Sequence, residues 1–183
     1  KRLLPCFFCL LVIIVFTQIA NAASDNSKLL SELGKTDNIE LEVILEQAQL
    51  DLISGHSIDA RNKLLQAAQL AANDFRPQLL LGIYYLNDVG HFPLAEKYLF
   101  HAHALFENSW GSEIDDSIKA EAQEMNSRIL GLLAETKINL DQYQQALAIL
   151  ERFGKTYQAD WFWSTKAWVL MKLKRIDEAI YGA

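Results

Sequence analysis

Apolar residues along most of the chain recur at the spacing of one helix face. Between residues 39 and 53 they stand three or four positions apart, at Leu41, Ile44, Leu45, Ala48 and Leu52. This spacing predicts a helix with one buried side. Gly55 ends that helix, and a partner helix is predicted over 57–72. Asp37 and Asn38 are plausible caps for the first helix, and Asn73-Asp74 is expected to form the break after the pair and the next cap.

The same pattern continues to the end of the chain. It predicts a helix that ends near Glu107, a turn at 108–112 and a long helix over 113–139. A helix capped by Asp141 is expected to run to Phe153. A last pair is predicted over 159–172 and from Ile176 onwards.

The segments 80–86 and 90–102 form the most regular pair of helices in this prediction. A turn rich in Gly and Pro joins them, and small residues stand where the two helices would approach closely, at Gly82, Ala95 and Ala102. One such hairpin cannot bury its apolar face alone. We therefore expect similar hairpins on both sides of it.

Two sets of small residues define these repeats. The repeat alanines, each near the start of a second helix, are Ala60, Ala95, Ala146 and Ala179, at intervals of 35, 51 and 33 residues. The small first-helix residues stand twelve positions earlier, or thirteen in the second unit, at Ala48, Gly82, Ala134 and Ala167. Two of the three intervals are close to a period of about 34 residues, and the third is longer by about half a repeat.

These matched spacings resemble the tetratricopeptide repeat family. Its motif places an aromatic residue, Leu-Gly and Tyr on the first helix, and Ala, Phe and Ala on the second. The second unit matches best, with Leu81-Gly82 and Tyr85, and the fourth contributes Trp163 four residues before Ala167. No unit ends in the family's usual proline, and the Tyr and Gly-rich turn of the second unit is similar to Sel-like repeats.

The resemblance implies an all-α fold. It would be an alpha-solenoid of stacked antiparallel helical hairpins, a TPR-like superhelix, over residues 39–183, with units at 39–73, 74–109, 113–158 and a truncated 159–183. The residues expected to pack the repeats are Ala48, Ala60, Gly82, Tyr85, Ala95, Ala102, Ala134, Ala146, Trp163, Ala167 and Ala179. Because the last unit holds little of its second helix, we expect the protein to continue beyond residue 183.

The start of the chain has the composition of an export signal. Lys1-Arg2 is followed by an uncharged segment as far as Ser24 and by the small-x-small site Ala20-Asn21-Ala22. This predicts a helical signal peptide over 1–22, cleaved between Ala22 and Ala23, and a leader over 23–38. The alternative is an uncleaved inner-membrane anchor formed by residues 3–20. Cys6 and Cys9 lie inside this segment and are interpreted as signal residues without chemistry.

Charge narrows the classes of partner. Without the two bases of the signal, residues 23–183 carry 15 basic and 23 acidic residues, a net charge of −8. This balance argues against nucleic acid or an anionic membrane surface as the main partner. It is compatible with an exported protein, which we expect in a bacterial periplasm.

Candidate chemistry is sparse. His101 and His103 are two positions apart on a predicted helix and cannot bind one metal ion from one face. His56 and His91 stand in predicted turns, with no cysteine after the signal to complete a zinc site. No phosphate-binding loop, nucleophile elbow or zinc-protease motif occurs. We therefore predict no catalytic residue, no metal and no cofactor.

The resemblance implies that a partner binds in a concave groove lined by the first helices. The matched positions are Glu42, Leu45, Gln49, Arg76, Leu79, Ile83, Arg128, Glu135, Trp161, Ser164 and Trp168. The core of this prediction is Arg76, Leu79, Ile83, Arg128, Glu135, Trp161 and Trp168. Such a mixture of apolar and charged side chains suits an extended peptide or a partner helix.

The predicted function is a non-catalytic scaffold for protein–protein interaction in the cell envelope. One alternative is an accessory domain of a larger envelope enzyme, or of polysaccharide machinery, whose catalytic part lies beyond residue 183. The other alternative is a membrane-tethered assembly factor with an uncleaved N-terminal helix.

Overall fold

The computed structural model describes residues 38–110, 119–153 and 160–181. Within these ranges every element is helical: α1 Ile39–Ile53, α2 Ser57–Leu70, α3 Phe75–Tyr84, a π-helical segment Tyr85–Val89, α4 Phe92–Trp110, α5 Lys119–Asn139, α6 Tyr143–Phe153, α7 Asp160–Lys172 and α8 Ile176–Tyr181. Each helix packs against the next helix in the chain. The all-α prediction is therefore confirmed for the described residues.

The predicted signal, its cleavage site at Ala20, Ala22 and Ala23, and the leader up to Asp37 lie outside the described residues. So do positions 111–118 and 154–159, and the side chain of Trp161.

Helix bounds follow the predicted pattern closely at most ends. The bounds of α1 match the prediction, and Asn38 caps it, because the Leu41 N–H donates to Asn38 Oδ1 at 3.2 Å. Asp74 caps α3 in the same way, accepting from the Arg76 N–H at 2.8 Å. The turn predicted at 108–112 is wrong at its start, since α4 continues to Trp110. In the last turn of α4 the Ser109 hydroxyl donates a hydrogen bond to the Leu105 carbonyl at 2.9 Å.

The turn inside each hairpin uses a residue with left-handed backbone. These four turn residues are Gly55, Gly90, Asp141 and Lys174, with φ of 79°, 68°, 57° and 61°. Each stands five positions before a repeat alanine. The prediction that Asp141 is the N-cap of α6 is therefore wrong, because Asp141 belongs to the preceding helix end.

Three of these turns share one pattern of backbone hydrogen bonds. After α5 the Asp141 N–H donates to the Ile138 carbonyl at 3.0 Å, and the Gln142 N–H donates to the Lys137 carbonyl at 2.9 Å. This is the Schellman arrangement that satisfies the last carbonyls of a helix. The same two bonds occur around Gly55 and around Lys174.

The turn at Gly90 differs because a π-helical segment precedes it. There both the Gly90 N–H and the His91 N–H donate to the Tyr85 carbonyl. A π-helical turn accommodates one residue more than an α-helical turn. This accounts for the thirteen residues between Gly82 and Ala95, where the other units have twelve.

The repeat alanines and small first-helix residues lie where the helices of a hairpin approach each other. Ala48, Ala60, Ala95, Ala134 and Ala146 are 0 or 1% exposed. A Cβ added at Gly82 would lie 2.5 Å from Leu99 Cγ, so this close contact requires glycine. Ala102 is also fully buried and Tyr85 is 7% exposed. In the last unit Trp163, Ala167 and Ala179 are only partly buried.

Candidate functional site

The small first-helix residues give a common numbering for the surface of the four first helices. The residue that follows each of them is Gln49, Ile83, Glu135 or Trp168, a set called here the first-helix row. Gln49, Ile83 and Glu135 are partly buried, and Trp168 is 38% exposed. The row therefore offers an amide, an aliphatic group, a carboxyl and an indole at one equivalent position of consecutive hairpins.

The position six residues before each small residue behaves differently. It holds Glu42, Arg76 and Arg128 in the first three hairpins. The Arg76 guanidinium donates to Glu42 Oε1 and Oε2 at 2.8 and 3.0 Å. It also donates to Asp74 Oδ2 at 2.7 Å, so it joins the first hairpin to the start of the second.

Arg76 is therefore part of the packed structure. Burial opposes its charged form, but the hydrogen bonds that it donates to Asp74 and Glu42 outweigh this and raise the pKa of Arg76. Only 2% of Arg76 and 3% of Leu79 is exposed to solvent. Placing these two residues on a partner-facing surface needs correction, because Arg76 is held by internal carboxylates and Leu79 lies in the core.

The remaining predicted partner residues fall into separate environments. Arg128 is partly buried on α5 and donates to Glu124 at 2.8 Å one helical turn earlier. Glu135 lies on the same helix, and burial raises the pKa of its carboxyl. A half-buried carboxyl of this kind binds a cationic group more strongly than an exposed one does.

Trp168 belongs to an aromatic cluster that sequence reasoning missed in part. Its ring meets the Tyr143 ring edge-on, with centroids 5.7 Å apart. Lys172 Nζ lies 4.9 Å from the Trp168 centroid and 6.0 Å from the Tyr143 centroid. Lys172 could have been found from its four-residue spacing to Trp168. Tyr143 could not, because it lies on α6 of the preceding hairpin.

The described residues hold no group of three or more His, Cys, Asp or Glu side chains that could bind a metal ion. Among the same residues, no helix combines the length and the apolar composition that a membrane-spanning helix needs.

Comparisons with known proteins identify the fold. No protein-family profile and no curated protein sequence matches the chain. A solved structure described as "MamA AMB-1 P212121" is similar, with a TM-score of 0.60 and 18% sequence identity. The alignment covers 87% of this chain and 78% of that chain. MamA is a TPR-containing protein, so the likeness shows a TPR-like helical fold for this chain.

Proposed function

We propose that this chain is a non-catalytic scaffold that binds a protein partner. Its hairpins stack as an alpha-solenoid, and the first-helix row with the Tyr143–Trp168–Lys172 cluster forms the binding surface. The observation that carries the proposal is the TPR-like fold, which generally binds proteins or peptides. The partly exposed positions that recur on four consecutive first helices support the location of the surface.

The chemistry of this surface favours an extended peptide or a helix with mixed side chains. Trp168 is 38% exposed, and aromatic side chains of this kind often dominate binding energy at interfaces. Glu135 favours a basic group on the partner, and Lys172 favours an acidic or aromatic group next to it. These two groups lie on α5 and α7, so a partner must span at least two hairpins to contact both.

We propose further that the protein works in the cell envelope after export by its N-terminal signal. The basic start, the uncharged segment and the Ala20-Asn21-Ala22 site support this location. The mass of the protein recovered from cells tests it. Loss of residues 1–22 from the recovered protein supports export and cleavage, whereas a retained N-terminus favours the anchored alternative.

The binding surface is tested by capture of partners from envelope extract. The chain is compared with a Trp168→Ala, Glu135→Ala variant and with a matched Phe100→Ala variant. Phe100 is 67% exposed and lies on α4, outside the proposed surface. Proteins retained by the chain and the Phe100 variant, but lost from the double variant, are then purified and titrated calorimetrically.

We expect the double variant to weaken binding at least about tenfold, because truncation of a hot-spot aromatic residue commonly costs about 2 kcal/mol or more. Equal binding by all three proteins would place the interaction elsewhere. Capture of no protein by any of them would contradict the scaffold function under the conditions used. Circular dichroism of each variant separates lost binding from lost folding.

A further inference from the structure

The outer face of α1 is apolar and open to solvent. Ile39, Val43, Leu50 and Ile53 are 78, 45, 56 and 80% exposed. At 100° per residue these four side chains fall within a sector of about 80° on the helix. Single exposed aliphatic residues are ordinary, whereas contiguous exposed apolar surface marks interaction sites.

The equivalent positions in the other three hairpins are buried. The position of Val43, five before the small residue, holds Pro77, Ile129 and Phe162. The position of Leu50, two after the small residue, holds Tyr84, Thr136 and Val169. All six of these residues are buried. α1 therefore exposes a face that is buried on the first helix of each later hairpin.

Helix geometry indicates what covers this face in the later hairpins. The small residue points at the second helix of its own hairpin, as Gly82 does against Leu99. The position two residues later lies about 200° further round the helix, on the opposite side. The second helices α2, α4 and α6 pack against α3, α5 and α7 of the following hairpins, and α3, α5 and α7 all bury the position two residues after the small residue. The outer face of α1 therefore has the shape of a site for a preceding helix.

Charge on α1 specifies the kind of helix. The helix contains Glu40, Glu42, Glu46 and Asp51 and no Lys or Arg. Glu46 is exposed and lies within the same sector as the apolar stripe. The equivalent positions in later hairpins hold the uncharged Leu80, Leu132 and Thr165. Charge complementarity therefore favours a covering helix that places a base opposite Glu46.

The contacts between successive hairpins argue against α8 of a second copy as the occupant. At the first two junctions, the residue after the repeat alanine contacts the next first helix three positions after its small residue. Arg61 Nε donates to Tyr85 Oη at 2.9 Å, and Glu96 pairs with Lys137. At the third junction both residues, Leu147 and Leu170, are buried.

A second copy stacked in the same way would break this series of matched pairs. Stacking of α8 from a second copy on α1 would place Ile180 opposite Asp51, a carboxylate that already pairs with Lys63. An aliphatic residue against an ion pair lacks the complementarity of the three internal junctions.

We propose that the outer face of α1 binds an amphipathic helix of another protein. The apolar side of that helix packs on Val43 and Leu50, and a Lys or Arg lies beside Glu46. The site borders the first-helix row only at Gln49, and it includes neither Glu135 nor Trp168. Its occupant continues the stack of helices at the N-terminal end of the described residues.

The test uses two fluorescent synthetic helical peptides, each with one face of leucine. One carries lysine between its two apolar turns, and the other carries glutamate there. Binding to the full chain is measured by fluorescence anisotropy. The variants are Glu46→Lys, the pair Val43→Ser with Leu50→Ser, and Phe100→Ser as a matched exposed control. All the changed residues are exposed, so folding is expected to survive, and circular dichroism verifies it.

We expect the lysine peptide to bind about tenfold more tightly than the glutamate peptide, and Glu46→Lys to reverse that preference. The serine pair should weaken binding of the lysine peptide at least tenfold, and Phe100→Ser should leave it unchanged. Equal binding of both peptides, or an equal loss in the Phe100 variant, overturns the proposal. A dimer in light scattering that the serine pair dissociates would replace the partner helix by a second copy. None of these outcomes depends on Trp168, so failure here leaves the proposed function standing.

Discussion

Single residues show where the local rules of helix ends and burial are obeyed and where they are broken. Gly55 and Gly90 adopt positive φ, as glycine does readily. Lys174 takes the same left-handed conformation with a Cβ, which costs about 1–2 kcal/mol. Asp141 does so at a lower cost, because its short polar side chain bonds locally, accepting from the Tyr143 hydroxyl.

Replacing Lys174 by glycine is expected to stabilise the protein by about 0.5–1 kcal/mol, because the strain is relieved and the turn is kept. Asp141→Gly should give less, since it also removes the bond to Tyr143. Urea unfolding measures both changes. A Lys172→Gly variant, with glycine in the last turn of α7, is the control and should be destabilised. Destabilisation by Lys174→Gly would show that the left-handed turn is not required.

The partly buried carboxyl of Glu135 makes the stability of the protein depend on pH. Its folded pKa is raised by burial, so the unfolded state releases its proton at lower pH than the folded state does. Its contribution to stability is therefore full below the unfolded pKa and is lost as pH rises through the folded pKa. Glu135→Gln removes this loss, so the variant should gain stability relative to the parent at pH 7 to 8.

Thermal unfolding of both proteins at pH 4 and pH 8 measures this difference. We expect the gain from Glu135→Gln at pH 8 to shrink at pH 4. A gain that is the same at both pH values would mean that the carboxyl is not responsible. The same titration would change the affinity of a basic partner, since only the ionised carboxyl attracts it.

At the scale of the element, spacing predicted the existence of each described helix and its approximate bounds. Apolar residues three or four positions apart, with breaks at Gly55 and Asn73-Asp74, were sufficient to predict α1 and α2. The π-helical segment was not predicted, although its cause was visible as the extra residue between Gly82 and Ala95. Spacing shows that a residue is inserted, but the hydrogen bonds of the folded helix decide where it is accommodated.

Deletion of Asn87 tests this explanation. Asn87 is exposed within Tyr85–Val89, and its removal restores the twelve-residue spacing of the other hairpins. We expect a folded protein with cooperative unfolding, because the helix can return to α-helical bonding without a change of register. Deletion of Asn139, in a unit that already has twelve residues, is the matched control and should disrupt packing. Similar losses in both variants would refute the role assigned to the π-helical segment.

The candidate surface shows the limit of prediction from sequence at this scale. Ile83, Glu135 and Trp168 lie on the expected faces with partial exposure, whereas Arg76 and Leu79 are buried. The sequence could not reveal that the Arg76 guanidinium would form an ion pair with Glu42, which is 34 residues away. Pairs between equivalent positions of neighbouring repeats become visible only when the helices are placed side by side.

For the whole molecule, contacts between consecutive helices make stability a property of neighbouring hairpins. α3 is buried along almost its full length, with nine of its ten residues inaccessible. α1 and α8 are the first and last of the described helices. Both expose aliphatic residues, among them Ile39, Ile53 and Ile180. Opening should therefore begin at the ends and reach α3 last.

Hydrogen exchange followed by mass spectrometry measures this gradient. We expect amides of α3 and α4 to exchange most slowly and those of α8 most rapidly. Addition of a helical peptide that binds the outer face of α1 should slow exchange in α1 and leave α8 unchanged. Uniform exchange throughout the described helices would indicate a single cooperative unit instead of coupled hairpins.

The left-handed turn residues have a consequence for how such proteins are found. The number of residues from the turn back to equivalent positions of the first helix varies, because this helix can contain a π-helical segment or a long extension. Distances measured forwards are constant, with five residues from the turn to the repeat alanine in all four hairpins. A search profile of fixed length loses its alignment at each insertion, whereas one anchored on the turn does not. Divergent relatives with irregular first helices should therefore become recognisable when the turn is taken as the origin of the repeat.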